Sequence, residues 1–222
     1  MDDSPASYLD SVAFIRANTQ IATPPLVPEI RLHLATEVTP LWMATEATLE
    51  RSNLPPPYWA FAWPGGQAVS RYLLDRPELV AGRTVLDFAA GSGLSAIAAV
   101  RAGAARVTAA EIDRFALVAI GLNTVLNQVT VALAERDVIG TELPAGSLFV
   151  AGDVCYEQPM SGRLTVWLRA LAATGVMVVI GDPGRAYLPK DGLEQLAHYK
   201  VPTSLDLEDR TTRETTVWRV LP

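Results

Sequence analysis

The sequence predicts an α/β fold: a doubly wound, mostly parallel sheet flanked by helices and finished by an antiparallel C-terminal hairpin. Three observations carry this expectation. From residue 65 onward, helix-like segments alternate with apolar, strand-like runs. One run, Val85-Leu-Asp-Phe88, leads directly into a loop of small residues, Ala89-Ala-Gly-Ser-Gly93, and then an alanine-rich helix. The last two strand-like segments are joined by a short charged turn, which suits antiparallel pairing.

Residues 7–17 read as an amphipathic helix with Tyr8, Val12 and Ile15 on one face. Pro24, Pro25 and Pro28 interrupt the chain, and Ile30, Leu32 and Leu34 then alternate with Arg31 and His33 as a short strand. Leu41 to Arg51 reads as another helix, closed by Pro55, Pro56 and Pro57. Residues 1–57 are therefore expected to form an extension or lid over a main domain of residues 58–222. That domain opens with a helix over Gly65–Asp75, with Pro64 just before it or in its first turn. Strands are expected at Thr84–Phe88, Arg106–Ala110, Val129–Ala134, Leu148–Ala151 and Val176–Ile180. Helices are expected at Leu94–Ala102, Arg114–Asn127, Leu164–Ala172 and, briefly, Leu193–His198. Lys200–Leu207 and Thr215–Leu221 complete the sheet as a hairpin.

At 222 residues the chain can bury a full core, and half its residues are apolar. No apolar run approaches the ~20 residues needed to span a membrane, and the acidic start lacks the basic region of a secretory signal. Cys155 is the only cysteine, so neither an intramolecular disulfide nor a thiolate metal cluster is expected, and a reducing cytoplasm is the expected setting. His33 and His198 have no ligand-like neighbours, so no metal site is expected. A net charge of -6 argues against a nucleic-acid partner.

Gly91-Ser-Gly93-Leu-Ser-Ala96 fits a dinucleotide-binding turn, and Glu111 stands 20 residues beyond Gly91, where a ribose-binding acid belongs. Asp87 argues for a different ligand. A carboxylate beside the loop repels a pyrophosphate but suits a molecule carrying an ammonium and a sulfonium, as S-adenosylmethionine does. The loop alone leaves a nicotinamide cofactor open. Asp113 could compete with Glu111, and Asp137, trailing the third strand, could meet an adenine amino group. Asp153-Val-Cys-Tyr156 follows the fourth strand; its carboxylate and phenol could face an amine acceptor, or serve as a helix cap and a core ring. The aromatic cluster Pro57-Tyr-Trp-Ala-Phe-Ala-Trp63-Pro-Gly-Gly66 could wall a channel through Trp59 and Trp63, or fill core.

Together these residues resemble the seven-stranded class I protein-lysine methyltransferases with a D-x-x-Y motif. The likeness is nearest to bacterial relatives of the electron transfer flavoprotein beta-subunit lysine methyltransferase, from about Phe14 onward. It is most specific in the Pro57–Gly66 stretch, in Asp153-Val-Cys-Tyr156 and in Gly181-Asp-Pro-Gly-Arg185. The resemblance implies a Rossmann-like fold and transfer of methyl groups from S-adenosylmethionine, leaving S-adenosylhomocysteine, to lysines of that flavoprotein subunit. It implies donor binding by Trp63, Asp87, Ala89, Gly91, Gly93, Glu111, Ile112 and Asp153. Asp153 and Tyr156 are implied as catalytic, with Trp59 and Tyr156 at the substrate. Ala89 departs from the pattern, many relatives having glycine there. Two alternatives stay open, a small-molecule N-methyltransferase and a non-catalytic protein that keeps the fold.

Overall fold

The structure, a computed structural model, describes residues 8–37, 39–42, 56–203, 208 and 211–222. Seven strands form one sheet in the order β5-β4-β3-β6-β7-β9-β8. They are β3 (Thr84–Phe88), β4 (Arg106–Ala110), β5 (Ala132–Ala134), β6 (Leu148–Gly152), β7 (Met177–Asp182), β8 (Leu193–Pro202) and β9 (Thr212–Val220). β3 to β7 run parallel, whereas β9 is antiparallel to both β7 and β8. The chain order reverses between β3 and β6, which makes their carboxyl ends the switch point of a doubly wound sheet. The sheet and its reversed last strand match the predicted class.

Helices α2 (Pro64–Asp75), α3 (Leu94–Arg101), α4 (Arg114–Asn127) and α5 (Met160–Ala173) flank it. Alternation along β3 sends Val85 into the core under α2 and α3, and Leu86 and Phe88 into the core under α5. An N-terminal helix α1 (Tyr8–Asn18) and a small antiparallel pair, β1 (Gln20–Ala22) with β2 (Leu32–Leu34), pack on α4. Ile15 sits against Ala116 and Ala119 of α4, as the predicted apolar face requires; the Tyr8 side chain lies outside the described residues. Residues 43–51 of the predicted helix from Leu41, Pro55, and residues 204–207 of the predicted hairpin also lie outside them. Among the described residues, no helix is long and apolar enough to cross a membrane.

Four expectations are corrected. Leu193–His198 is not a helix but the first half of β8. A register shift between Gln195 and Ala197 brings Leu193, Leu196 and Ala197 to half-buried positions, and a bulge thus imitates helical spacing. β5 begins at Ala132 because Val129 is consumed in ending α4: its N–H bonds Thr124 O, after Gln128 turns left-handed at φ 58°. The predicted Leu164 helix starts earlier, at Met160, just after Pro159. β7 runs past its apolar stretch to Asp182, whose partner on β9 is Thr216.

Candidate active site

A cavity of about 680 Å³ opens where β3, β4 and β6 end. Phe88, Ala89 and Gly91 line it from the first turn, Glu111, Ile112 and Asp113 from the end of β4, and Asp153, Tyr156 and Glu157 from the end of β6. Trp59, Trp63 and Tyr58 wall it from the aromatic segment, and Arg185 from the loop after β7. Ala89 (φ 51°) and Gly91 (φ 53°), both at the cavity wall, take the left-handed conformation. A Cβ at Gly91 would meet only Trp59 Cα, 3.8 Å away, so a ligand can approach the backbone here.

Glu111 is held by three backbone amides. Its Oε2 accepts from Gly91 N at 3.0 Å, and its Oε1 from Ile112 N at 2.7 Å and Asp113 N at 3.1 Å. This ties the end of β4 to the glycine turn and fixes a carboxylate at the cavity wall. Asp113 is used otherwise, capping α4 through Phe115 N at 2.8 Å. Burial pushes its carboxyl above the usual range. Asp137 lines the far end of the cavity, paired with Arg163 at 2.9 Å and bonded by Ile139 N. That backbone bond and then the Arg163 guanidinium lower its pKa.

Asp87 and Gly93 do not line the cavity. Asp87 points to the same face of β3 as Val85, beneath the N-terminus of α3, and its Oδ2 accepts from Ala96 N at 2.9 Å. It is 2% exposed, and burial pushes its pKa up to about 8 against the opposing Ala96 bond, with the Glu111 charge adding to the rise. Burial and the Glu111 charge thus both favour its protonated form. Gly93, at φ 79°, caps α3, and a Cβ there would press to 3.2 Å on Ile120 of α4.

The β6 end is the most heavily bonded part of the site. Asp153 takes a left-handed backbone (φ 56°), and its carboxylate swings under the N-terminus of α2. Oδ2 accepts from Gly65 N at 2.5 Å and Gly66 N at 3.2 Å, which caps a helix that has no capping side chain of its own. Oδ1 accepts from Arg185 Nε at 3.1 Å and Nη2 at 2.7 Å. Burial raises the Asp153 pKa to about 6, and the Arg185 charge limits that rise. α2 can come this close because Gly65, Gly152 and Gly181 carry no side chain. A Cβ on Gly152 would overlap Gly66 N, and one on Gly181 would overlap Gly65 O.

Tyr156 is 43% exposed, its ring 6.0 Å from Tyr58, whose ring is in turn 6.0 Å from Trp63. Burial of its hydroxyl pushes its pKa to about 12, so it stays a phenol at neutral pH. Trp59 is buried against Ala116 and Ala119 of α4 and also borders the cavity, so its expected core and wall roles coexist. Trp63 is fixed by its Nε1–H to Tyr58 O at 2.8 Å. Cys155 is buried, and burial pushes its thiol up to about 12. Among the described residues, no group of three or more His, Cys, Asp or Glu could hold a metal ion.

Six expected residues, Trp63, Ala89, Gly91, Glu111, Ile112 and Asp153, thus meet at one cavity, together with Trp59 and Tyr156. The sequence places Arg185 and Gly181 in the Gly181–Arg185 stretch and Gly65 at a helix start, but it suggests no site role for them or for Gly152. The signal for Arg185 was present in Asp182-Pro-Gly-Arg185: the Asp182 side chain accepts from Gly184 N and Arg185 N, a local turn that aims the arginine. The glycines carried no local signal, because their reason lies in another element.

The family model for ribosomal protein L11 methyltransferase (PrmA) matches residues 69–145. The electron transfer flavoprotein beta subunit lysine methyltransferase of Danio rerio is 40% identical over 223 residues, spanning 97% of this chain and 85% of that protein. Its Xenopus laevis counterpart is 39% identical over 216 residues, spanning 95% and 87%. A solved structure of ribosomal protein L11 methylase from Lactobacillus delbrueckii subsp. bulgaricus superposes with a TM-score of 0.51 at 19% identity, covering 73% of this chain and 81% of that one, which supports the fold. With identity of this order along nearly its whole length, and a cavity at the sheet's switch point, the chain belongs to the family of electron transfer flavoprotein beta subunit lysine methyltransferases.

Proposed function

We propose that this chain transfers methyl groups from S-adenosylmethionine to lysine side chains of the electron transfer flavoprotein beta subunit, the substrate named for its relatives. One observation carries the reading. A single cavity joins a glycine turn clasped by Glu111 to an aromatic-walled end built on Asp153 and Tyr156. The cavity is of a size that suits a nucleoside-bearing ligand, and its open turn suits close contact with the backbone. Glu111 would meet the ribose hydroxyls, Ala89, Gly91 and Ile112 the neighbouring parts of the donor, and Trp63 its acceptor-side end. Asp87 and Gly93 would act from behind, shaping the turn and the start of α3. The donor, when bound, supplies a methyl group activated by a sulfonium.

The residues at the acceptor end align, enclose and dehydrate. No covalent enzyme intermediate is required, so the rate depends on positioning and exclusion of water. The lysine must arrive as a neutral amine, and from a pKa near 10.4 that costs roughly 4–5 kcal/mol at pH 7. The sequence suggests that Asp153 grips the ammonium directly. Its four acceptor positions are already engaged, by two amides of α2 and two guanidinium N–H groups. We therefore assign Asp153 to holding the wall of the acceptor pocket, and Tyr156 and Trp59 to contacting the lysine and its neighbours. The reducing cytoplasm fits a lone buried thiol.

The test is incubation of the purified protein with radiolabelled S-adenosylmethionine and the flavoprotein beta subunit, then mapping of the label. Label on lysines of that subunit is the expected result. Label on nucleic acid, or on free amines with no protein present, would refute the assignment.

A further inference from the structure

Arg185 is fixed from four sides. Its Nη2 lies 2.7 Å from Asp153 Oδ1 and 2.7 Å from Glu208 Oε1. Its guanidinium carbon stands 5.7 Å over the Trp63 ring, and its backbone N–H donates to Asp182 Oδ1 at 2.6 Å. Behind it, Glu208 is 3% exposed in its side chain and is joined at Oε2 by Arg213 at 2.7 Å. The row Asp153, Arg185, Glu208, Arg213 thus alternates in sign, running back from the cavity wall at Asp153 and Arg185. Asp153 and Arg185 both border the cavity, so a lysine entering past Tyr156 meets a carboxylate already matched by a cation.

We propose that Arg185 sets the protonation state of the acceptor lysine, by cancelling the pull of Asp153 on the ammonium and placing a fixed positive charge beside it. This rests on the lysine-methyltransferase reading above. A half-buried cation that cannot lose its own proton disfavours a second cation nearby, so the entering ammonium gives its proton to water. The neutral nitrogen's lone pair then forms the N–C bond while the electrons of the donor's S–C bond return to sulfur. The resulting N-methylated ammonium can lose a proton in the same way before any further transfer.

The other ionisable groups around this position do not replace Arg185. From the strand ends come Asp153, Asp182 and Glu111, and from the segment before α5 Tyr156 and Glu157. Tyr58 faces it from the aromatic turn, while α2 contributes only the amides of Gly65 and Gly66. The other nearby cations stand elsewhere: Arg213 pairs with Glu208 behind Arg185, and Arg136 and Arg163 line the cavity beside Asp137, with which Arg163 pairs at 2.9 Å, so among the described residues Arg185 is the cation bonded to Asp153.

The experiment is the pH dependence of kcat on the flavoprotein beta subunit, at saturating donor, for wild type, Arg185→Lys, Arg185→Met and Arg185→Gln. In the two neutral variants the acid limb should move up by about one pH unit, giving a roughly tenfold loss at pH 7. Both should return to within about threefold of wild type near pH 9.5, since each pH unit titrates a tenfold change. Arg185→Lys should keep the wild-type limb at a lower plateau. Arg185→Gln, which retains a donor for Asp153, covers the case in which the methionine variant does not fold. An equal loss at every pH, or a shift in Arg185→Lys as large as in Arg185→Met, would overturn the proposal. A wild-type enzyme that leaves lysines unmodified at all pH values would instead overturn the function on which it rests.

Discussion

Asp87 shows how one residue's environment changes its meaning. Its place at the end of an apolar strand suggests a charged lip for a cationic ligand. Its orientation under α3 makes it a buried acid with a pKa of about 8. With the folded pKa raised, the stability it contributes is complete at acid pH and is lost as pH rises from the ordinary carboxylate range through about 8. If the donor's positive charge acts on Asp87, binding at pH 7 should expel close to one proton as the acid ionises. Isothermal calorimetry in buffers of different ionisation enthalpy measures this directly. The effect should vanish in Asp87→Asn, and a wild-type binding enthalpy independent of buffer would contradict the coupling. Ala89, by contrast, tolerates a left-handed turn without the freedom of glycine, a local strain of order 1 kcal/mol held by the surrounding fold.

At the scale of the element, the start of α2 decides the geometry of the acceptor end. Its first amides are capped by a carboxylate from β6, and its backbone lies on paired glycines of β6 and β7. Gly152→Ala should cost about 3 kcal/mol, because the new methyl meets helix backbone that cannot yield. Gly66→Ala, one contact away, meets nothing within 4 Å and sits inside the helix. It should be neutral or stabilising by up to about 1 kcal/mol. Paired thermal melts check both, and equal effects for the two substitutions would show that the glycine contact is not what seats the helix.

Across the whole molecule, the described part of the N-terminal segment is joined to the site by hydrogen bonds. Asn123 of α4 is fully buried, accepts from His33 N at 2.8 Å and donates to Ser92 O at 2.8 Å. One side chain thus joins β2 to the glycine turn. Ala35 N, just after β2, also bonds Ala60 O in the aromatic segment at 2.8 Å. Asn123→Ala should cost about 3 kcal/mol by stranding two backbone groups, lowering Tm by roughly 6–12 °C. It should also raise the donor KM several-fold with a smaller change in kcat, because the turn loses its anchor. A destabilised variant with unchanged donor KM would confine Asn123 to stability.

What the sequence determined by itself was whatever depends on near neighbours in the chain. The strand, small-residue turn and helix at Thr84–Arg101 follow from apolar runs, glycines and alanines within a few residues, and so does Glu111 at the end of β4. The Asp153 and Tyr156 pair was legible as a feature of the fourth strand's end for the same reason, with its acceptor-site and helix-cap readings both open. Tertiary structure alone decided which face Asp87 takes, since β3 is apolar on both sides and its pattern has no outside. It also decided that Leu193–Pro202 is a strand, because the pairing with β9 and its bulge outweigh helix-like spacing. The role of Arg185 was hidden for the same physical reason: its charge acquires meaning only from Asp153 and Glu208, 32 and 23 residues away, brought to it by the sheet.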